Sequence, residues 1–175
     1  MVLRVVSHCT VDTQTLGEHL GRLLDAGDIV CLYGELGSGK TILCKGLAKG
    51  LGVTHERAVR SPSFVLIQRY RGRVPVYHAD LYRLDGTADI ADIGLREMLG
   101  GDGVAVIEWA DKLDALLPSE RLDIILEHRT EEARLITVHP RGARYRRLVE
   151  CWRSQQPVGP DTWGPRDDTA EMAST

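Results

Sequence analysis

An eight-residue segment near the start of the chain has the composition and spacing of a phosphate-binding loop. It consists of Gly34, Glu35, Leu36, Gly37, Ser38, Gly39, Lys40 and Thr41, and it matches the Walker A pattern. Glycines leave no Cβ in the way of phosphates, so consecutive backbone N–H groups can point at an anion, and the helix that begins there adds its dipole. Lys40 can reach the β- and γ-phosphates, and the Thr41 hydroxyl can ligate Mg²⁺. The segment and the adjacent Ile42 therefore predict a site for Mg²⁺ and a nucleoside triphosphate, with ATP as the expected nucleotide.

Two acidic residues at strand ends are candidates for the metal and for the reaction. Glu108 ends the apolar run Val104-Ala105-Val106-Ile107, where a Walker B acidic residue stands in folds of this kind. Asp80 follows the apolar segment 74–79 and could bind the metal, hold a metal-bound water or orient the attacking water. With Lys40 they form the candidate catalytic set, and with Thr41 the candidate metal ligands. A solvated residue at a strand end is the alternative for each carboxylate.

The elements around the phosphate-binding segment predict an α/β protein. The unbroken apolar run 29–33 is typical of a strand that is covered on both faces. Leucines at four-residue spacing in 43–51 predict a helix after the segment, with Gly52 at its end. Before these lie a short strand and a helix that Asp12 or Thr13 would cap and Gly27 would end. The order indicates a three-layer P-loop NTPase-like domain with a mixed, centrally parallel sheet flanked by helices.

Two antiparallel hairpins interrupt the parallel pattern of this sheet. One joins 64–70 to 74–79 around Gly72, and the other joins 122–126 to 135–138 around Glu131. Two further helices are predicted, one near 90–99 and one carrying an apolar stripe within 145–152.

The length of the chain and its composition predict a single domain and a tail. The 175 residues suffice for one hydrophobic core, so residues 1–153 are expected to form one P-loop ATPase domain. Residues 154–175 are rich in Pro, Gly, Asp and Thr and lack periodicity, which predicts a disordered tail.

The net charge, the cysteines and the N-terminal residues predict the cellular location of the protein and whether it binds nucleic acid directly. The formal net charge of −3 gives no electrostatic case for direct binding to nucleic acid. The four cysteines are scattered without metal-ligand spacing, which favours reduced thiols. The apolar run after Met1 is too short for a signal peptide or a membrane span. A cytoplasmic protein is therefore expected.

Four sequence blocks occur in an order that resembles a known family. GELGSGKT, SPSFVLIQRY, HADLYRL and VIEWADK together look like TsaE, the bacterial ATPase of tRNA threonylcarbamoyladenosine biosynthesis, and the resemblance covers roughly residues 16–126. It implies slow ATP hydrolysis and action on a complex of TsaB and TsaD, which transfers the threonylcarbamoyl group to an adenosine of tRNA. Contact with tRNA would then be indirect, through that complex.

The resemblance also implies roles for individual residues. Lys40 would bind phosphates, Thr41 and Glu108 would bind Mg²⁺, and Asp80 would bind the metal or position water. The implied neighbours of the nucleotide are a switch-like segment of Ser61, Pro62, Ser63 and Phe64 near the γ-phosphate, Trp109, and, near the adenine, Thr10 and Thr13. The sequence departs from the family pattern at Ser63, where threonine is usual, and at Ala79, where an aromatic residue is usual.

Two other activities use a similar loop. A small-molecule kinase would need an arginine-rich lid to enclose its acceptor, and no such segment follows the second helix. A regulatory GTPase would need a guanine-reading asparagine where Asp111 stands, and an aspartate cannot offer the amide. The basic cluster Arg141, Arg144, Arg146 and Arg147 is better explained as a solvated helix face than as a tRNA contact.

Overall fold

A computed structural model describes residues 2–54, 59–62, 65–84, 94, 98–99, 101–155 and 163–164. The strands are β1 (Leu3–Ser7), β2 (Ile29–Tyr33), β3 (Ile67–Arg71), β4 (Pro75–Asp80), β5 (Val104–Glu108), β6 (Arg121–His128), β7 (Arg134–Arg141) and β8 (Trp163–Gly164). The helices are α1 (Thr10–Gly21), α2 (Lys40–Gly50) and α3 (Ala143–Ser154), and a 3₁₀ helix spans Ala110–Leu116. No helix in the described ranges has the length and apolar character that a membrane crossing requires.

The eight strands of the described residues form one mixed sheet in the order β3-β4-β5-β2-β6-β7-β1-β8. The four central strands, β4, β5, β2 and β6, are parallel to one another. The flanking pairs β3–β4, β6–β7, β7–β1 and β1–β8 are antiparallel. Every residue of β5 is buried, as expected for a central parallel strand that is covered on both faces. The predicted α/β class, the parallel centre and both hairpins are confirmed.

The two faces of the sheet bury separate apolar clusters. Val30 and Leu32 of β2 pack in the cluster that contains the buried faces of α1, α2 and α3. Ile29 and Cys31 of the same strand point to the opposite face and pack with Leu113 of the 3₁₀ helix. Because side chains alternate along a strand, the unbroken apolar run of β2 serves both layers at once.

Glycines let α1 and α2 pack at unusually short range. A Cβ on Gly46 would lie 2.1 Å from the carbonyl oxygen of Gln14, and one on Gly17 would lie 2.6 Å from that of Leu43. Real Cβ atoms do not approach backbone so closely, so a larger side chain here would push the helices apart. The contact fixes the position of α2, whose first residue is Lys40.

The predicted limits of α1 are wrong at both ends. The N-cap residue is Cys9, whereas Asp12 lies inside the first turn and accepts a hydrogen bond from the backbone N–H of His8 at 2.9 Å. The helix ends at Gly21, well before Gly27. A tertiary contact stabilises this early end, because the guanidinium of Arg73 donates to the carbonyl oxygens of Gly21, Arg22 and Leu24.

Two predicted segments, the helix near 90–99 and the C-terminal tail, lie only partly within the described residues. The helix expected near 90–99 lies mostly outside them, although Met98 and Leu99 are helical. In the expected tail, Trp163–Gly164 pairs with β1, whereas 156–162 and 165–175 lie outside the described residues. The domain limit at residue 153 and the disorder of the tail stay predictions. At the opposite edge of the sheet, β3 exposes Gln68, Arg69 and Arg71.

Candidate functional site

The carboxyl ends of the central strands place the candidate residues together. The segment 34–41, here called the phosphate loop, runs from the end of β2 to the start of α2. Asp80 and Glu108 are the last residues of β4 and β5, and they lie directly opposite each other in the register of the two strands. In open α/β sheets, ligands bind at this edge of the sheet. The two acidic residues singled out in the sequence are therefore neighbours beside the phosphate loop.

The backbone of the phosphate loop requires glycine at two positions. Gly34 has a φ of 134°, and a Cβ there would lie 2.3 Å from the carbonyl oxygen of Leu126. Gly39, with a φ of 105°, is the N-cap residue of α2. Among the described residues, the backbone N–H groups of Gly37, Gly39, Lys40 and Thr41 donate to no backbone carbonyl. A helix N-terminus with several such N–H groups is a binding site for an anion.

The side chain of Lys40 folds back over the phosphate loop. Its ammonium donates hydrogen bonds to the carbonyl oxygens of Gly34 at 2.6 Å and Glu35 at 2.8 Å, and it lies 4.0 Å from the centroid of the Trp109 ring. Burial lowers the pKa of Lys40, and the carboxylates of Glu108 and Asp80 act in the opposite direction. A bound polyanion would add to their effect and favour the charged lysine.

Glu108 is buried at the centre of a hydrogen-bond cluster. Its carboxylate accepts from the Thr41 hydroxyl at 3.0 Å and 3.1 Å, from His78 Nε2 at 2.8 Å and from the Cys44 thiol at 3.5 Å. Burial, followed by the nearby Glu108 carboxylate, raises the pKa of Cys44 well above its usual value, so this thiol stays protonated. The Thr41 hydroxyl and the Glu108 carboxylate thus lie within one hydrogen bond of each other.

Asp80 is held in place by the segments before and after it. Its Oδ1 accepts from the backbone N–H of Tyr82 at 3.0 Å, and its Oδ2 accepts from the hydroxyl of Ser61. The Asp80 side chain is buried in the wall of the site. Ser61 and Pro62, from the switch-like segment, are described, whereas Ser63 and Phe64 lie outside the described residues.

A pocket of about 260 Å³ joins these groups. It is lined by Leu36, Gly37, Gly39, Lys40, Thr41, Ile42, Ser61, Asp80, Tyr82, Glu108 and Trp109. Ten of these residues, all except Tyr82, are candidates from the sequence for the nucleotide, the metal or the reaction. Other candidates do not line the pocket. Ser38 is buried, and Gly34 and Glu35 contribute their carbonyl oxygens to Lys40. Thr10 is exposed at the first residue of α1, whereas Thr13 is buried and shares a hydrogen bond with Ser7.

Some contacts at the site were not foreseen from the sequence. The ring of Tyr82 lies 5.0 Å from that of Trp109 and forms part of the pocket wall. Cys44 is one turn after Lys40 on α2, so helical spacing alone could have placed it beneath the loop. The hydrogen bond from His78 to Glu108 depends on the register of β4 against β5, which no local pattern in the sequence specifies.

The donor set fits a magnesium triphosphate. Mg²⁺ prefers hard oxygen ligands, and Thr41, Glu108 and Asp80, which all line the pocket, offer a hydroxyl and two carboxylates. The backbone N–H groups of the phosphate loop and the Lys40 ammonium suit phosphate oxygens. In addition, the buried hydroxyl of Ser38 has no hydrogen-bond partner among the described residues, so a polar atom next to the loop remains to be satisfied.

Comparison with known proteins finds matches over most of the chain. The family model of TsaE, described as threonylcarbamoyl adenosine biosynthesis protein TsaE, matches residues 7–136. A tRNA threonylcarbamoyladenosine biosynthesis protein TsaE from Treponema pallidum is 43% identical over 136 residues, which are 78% of this chain and 99% of that protein. The protein of the same name from Bacillus subtilis is 39% identical over 140 residues, or 79% and 86% of the two chains. The crystal structure of Bacillus subtilis YdiB superposes with a TM-score of 0.76 at 34% identity, and the match covers 88% of this chain and 95% of that one.

Proposed function

The chain belongs to the TsaE family, and on this premise we propose that it is a Mg²⁺-dependent ATPase that supports threonylcarbamoyl transfer to an adenosine of tRNA. Family membership supports the pathway, because the similar proteins carry the name of tRNA threonylcarbamoyladenosine biosynthesis. The activity within that pathway, hydrolysis of ATP, is inferred from the residues of the site.

One arrangement carries the inference of ATP binding. The Lys40 ammonium and the backbone N–H groups at the start of α2 line the pocket, and within the same pocket the Thr41 hydroxyl donates to the Glu108 carboxylate. The first set can neutralise a polyphosphate, and the second can hold a divalent cation next to it. Nucleoside triphosphates in cells carry Mg²⁺, so the two sets match the two parts of one ligand.

The chain's own residues then have separate tasks in hydrolysis. A water oxygen bonds to the γ-phosphorus while the bond from that phosphorus to the bridging oxygen breaks, which yields ADP and inorganic phosphate. Asp80, fixed by Tyr82 and Ser61, can accept a hydrogen bond from the attacking water. Lys40 binds the phosphate oxygens on which negative charge shifts. Thr41 and Glu108 would hold Mg²⁺, which would supply further positive charge to the phosphates.

The side chains that line the pocket predict slow ATP hydrolysis by the isolated protein. No arginine lines the pocket within the described part of the chain, so Lys40 is the one cationic side chain there to meet the charge of the transition state. Enzymes of this chemistry often receive an arginine from a partner protein. We therefore expect TsaB- and TsaD-like partners to stimulate hydrolysis, with any contact to tRNA made through their complex.

The test measures ATP consumption by the purified protein with Mg²⁺ and without any acceptor. Slow release of phosphate from ATP, loss of that release in Lys40→Ala, and weak competition by GTP are the expected results. A kinase would stay inactive until an acceptor is added, and a GTPase would prefer GTP. Absence of Mg²⁺-dependent ATP binding would refute the proposed activity, while the family membership would stand on the sequence.

The proposed partners need an experiment of their own. A tagged copy of the chain is used to capture proteins from extract of its own cells, once with ATP and Mg²⁺ and once with EDTA. Recovery of TsaB- and TsaD-like proteins, changed by the nucleotide, is the expected result. If Lys40→Ala and the unaltered protein both failed to capture them under either condition, the proposed partnership would be wrong.

A further inference from the structure

Arg134, the first residue of β7, connects the turn that precedes it to the phosphate loop. Its Nε donates a hydrogen bond to the carbonyl oxygen of Ser38 at 3.1 Å. Its Nη1 contacts the carbonyl oxygens of Thr130 at 3.3 Å, Glu131 at 3.0 Å and Ala133 at 3.0 Å. One guanidinium group thus joins four backbone oxygens, three in the β6–β7 turn and one in the loop.

The turn that carries this side chain is itself well fixed. The Thr130 hydroxyl accepts from the backbone N–H of Ala133 at 3.0 Å, and the N–H of Arg129 donates to the carbonyl oxygen of Ala133 at 3.0 Å. Arg134 also pairs with Ser7 of β1 and His128 of β6 in the sheet. The guanidinium is therefore held at a defined position before any ligand arrives.

The bond to Ser38 controls the orientation of one peptide group in the loop. In a trans peptide, the carbonyl of Ser38 and the N–H of Gly39 point in opposite directions. Holding the Ser38 carbonyl oxygen toward Arg134 consequently turns the Gly39 N–H away from Arg134. Gly39 is the N-cap residue of α2 and lines the pocket, so this is one of the N–H groups that the site offers to an anion.

The orientation of the Ser38–Gly39 peptide group must be fixed by a contact from outside the loop, because its second residue is glycine. Glycine reaches positive and negative φ at similar cost, so rotation of the Ser38–Gly39 peptide meets little resistance from the local chain. A rotated peptide would present a carbonyl oxygen where a phosphate needs an N–H group.

We propose that Arg134 is a positioning residue that keeps the Ser38–Gly39 peptide in the orientation that binds the triphosphate. This inference rests on the proposed function, because it deepens the same site. When the hold is lost, only a fraction of the molecules have the binding orientation, and the apparent Kd and KM rise by the inverse of that fraction. Saturating ATP selects the correct orientation again, so kcat falls far less than the affinity.

Two substitutions at Arg134 separate this role from simple attraction between charges. Arg134→Lys keeps the positive charge but loses the planar fork that reaches the turn and Ser38 together, whereas Arg134→Met loses both. If Arg134 acts by position, both variants lose affinity for Mg-ATP by about tenfold, with KM raised in parallel. Arg147→Met removes an exposed arginine on α3 and is the control for the loss of one positive charge.

The test measures Kd and KM for Mg-ATP, kcat, and hydrogen exchange of the loop N–H groups without nucleotide. We expect faster exchange at Ser38, Ile42 and Leu43, whose N–H groups donate to the carbonyl oxygens of Glu35 and Gly39, in both Arg134 variants and no change in Arg147→Met. Wild-type affinity and exchange in Arg134→Lys would overturn the inference, as would an equal loss in Arg147→Met. If wild type itself bound no ATP, the proposed function would fail, whereas the exchange experiment would still decide whether Arg134 holds the loop. Circular dichroism and thermal unfolding check that each variant is folded. If Arg134→Met is unfolded, Arg134→Lys alone decides the test.

Discussion

The ammonium of Lys40 lies 4.0 Å from the centroid of the Trp109 ring, and Trp109 has a φ of 59°, which is rare for a side chain of its size. Such a backbone conformation persists where surrounding contacts enforce it, and it often occurs at functional sites. Here it directs the indole into the pocket, where the ring forms a cation–π contact with the lysine. The lysine is thus held next to the place where phosphates would bind, by contacts that phosphate oxygens can replace.

This contact predicts an optical signal for ligand binding. When Mg-ATP draws the Lys40 ammonium from the indole to the phosphates, the fluorescence of Trp109 should change, because a charge leaves the face of the ring. Fluorescence titration with Mg-ATP measures the effect, and adenosine, which lacks phosphates, should produce little of it. Trp109→Phe should abolish the signal, whereas Trp152 and Trp163 remain as internal references. An undiminished signal in Trp109→Phe would show that another tryptophan reports binding.

His78 is predicted to orient the carboxylate of Glu108. Its Nε2 lies 2.8 Å from Glu108 Oε1, and both side chains are buried. His78→Ala removes this contact, and we expect the Mg²⁺-dependent part of ATP affinity to fall by about 10- to 100-fold, as is usual for groups that support a metal ligand. Calorimetric titrations with and without Mg²⁺ separate that part from the rest. His78→Gln, which can still donate an N–H, should recover some of it; an equal loss with and without Mg²⁺ would contradict the role.

The helix contact predicts that Gly46→Ala destabilises the fold. The new methyl group would lie 2.1 Å from the carbonyl oxygen of Gln14, so α1 and α2 must separate. We expect the free energy of unfolding to fall by about 1–3 kcal/mol, the range for overpacked cores. Urea denaturation followed by circular dichroism measures the change. Lys45→Ala, at the preceding position of α2, adds no clash and is the control; an equally stable Gly46→Ala would mean that the helices can shift at no cost.

The buried thiol of Cys31 and the buried hydroxyl of Tyr145 predict that the free energy of unfolding decreases at alkaline pH. Burial raises the pKa of Cys31 from 9.0 to about 12 and that of Tyr145 from 10.0 to about 12. The unfolded chain releases these protons at lower pH than the folded protein does. Their contribution to stability is therefore complete below pH 9.0 and is lost as the pH rises toward about 12. The lowered pKa of Lys40 has the opposite sign and offsets part of the effect.

Urea denaturation at about pH 8 and about pH 11 tests this prediction. The free energy of unfolding should be lower at the higher pH. Cys31→Ala should flatten the dependence, while Cys151→Ala, which alters an exposed cysteine, should leave it unchanged. A stability that did not change over this range in the unaltered protein would show that these groups ionise alike in both states.

Local patterns were sufficient to predict the centre of the fold and the neighbourhood of Asp80 and Glu108. The phosphate loop follows a buried strand and precedes a helix, and residues that end parallel strands meet at one edge of a sheet. The contacts that the sequence patterns did not predict are made between segments far apart in the chain. Arg73, in the β3–β4 turn, donates to the carbonyl oxygen at the end of α1, and Arg134, at the start of β7, donates to the phosphate loop. Both depend on strand register and turn geometry, which residue spacing alone does not determine.

The edge strand β3 affects whether copies of the protein associate at high protein concentration. A strand at the border of a sheet offers backbone groups that could extend the sheet into a neighbouring molecule. On β3, the exposed arginines Arg69 and Arg71 flank that border, and two copies approaching edge to edge would bring like charges together. We expect this repulsion to disfavour stacking of copies through β3.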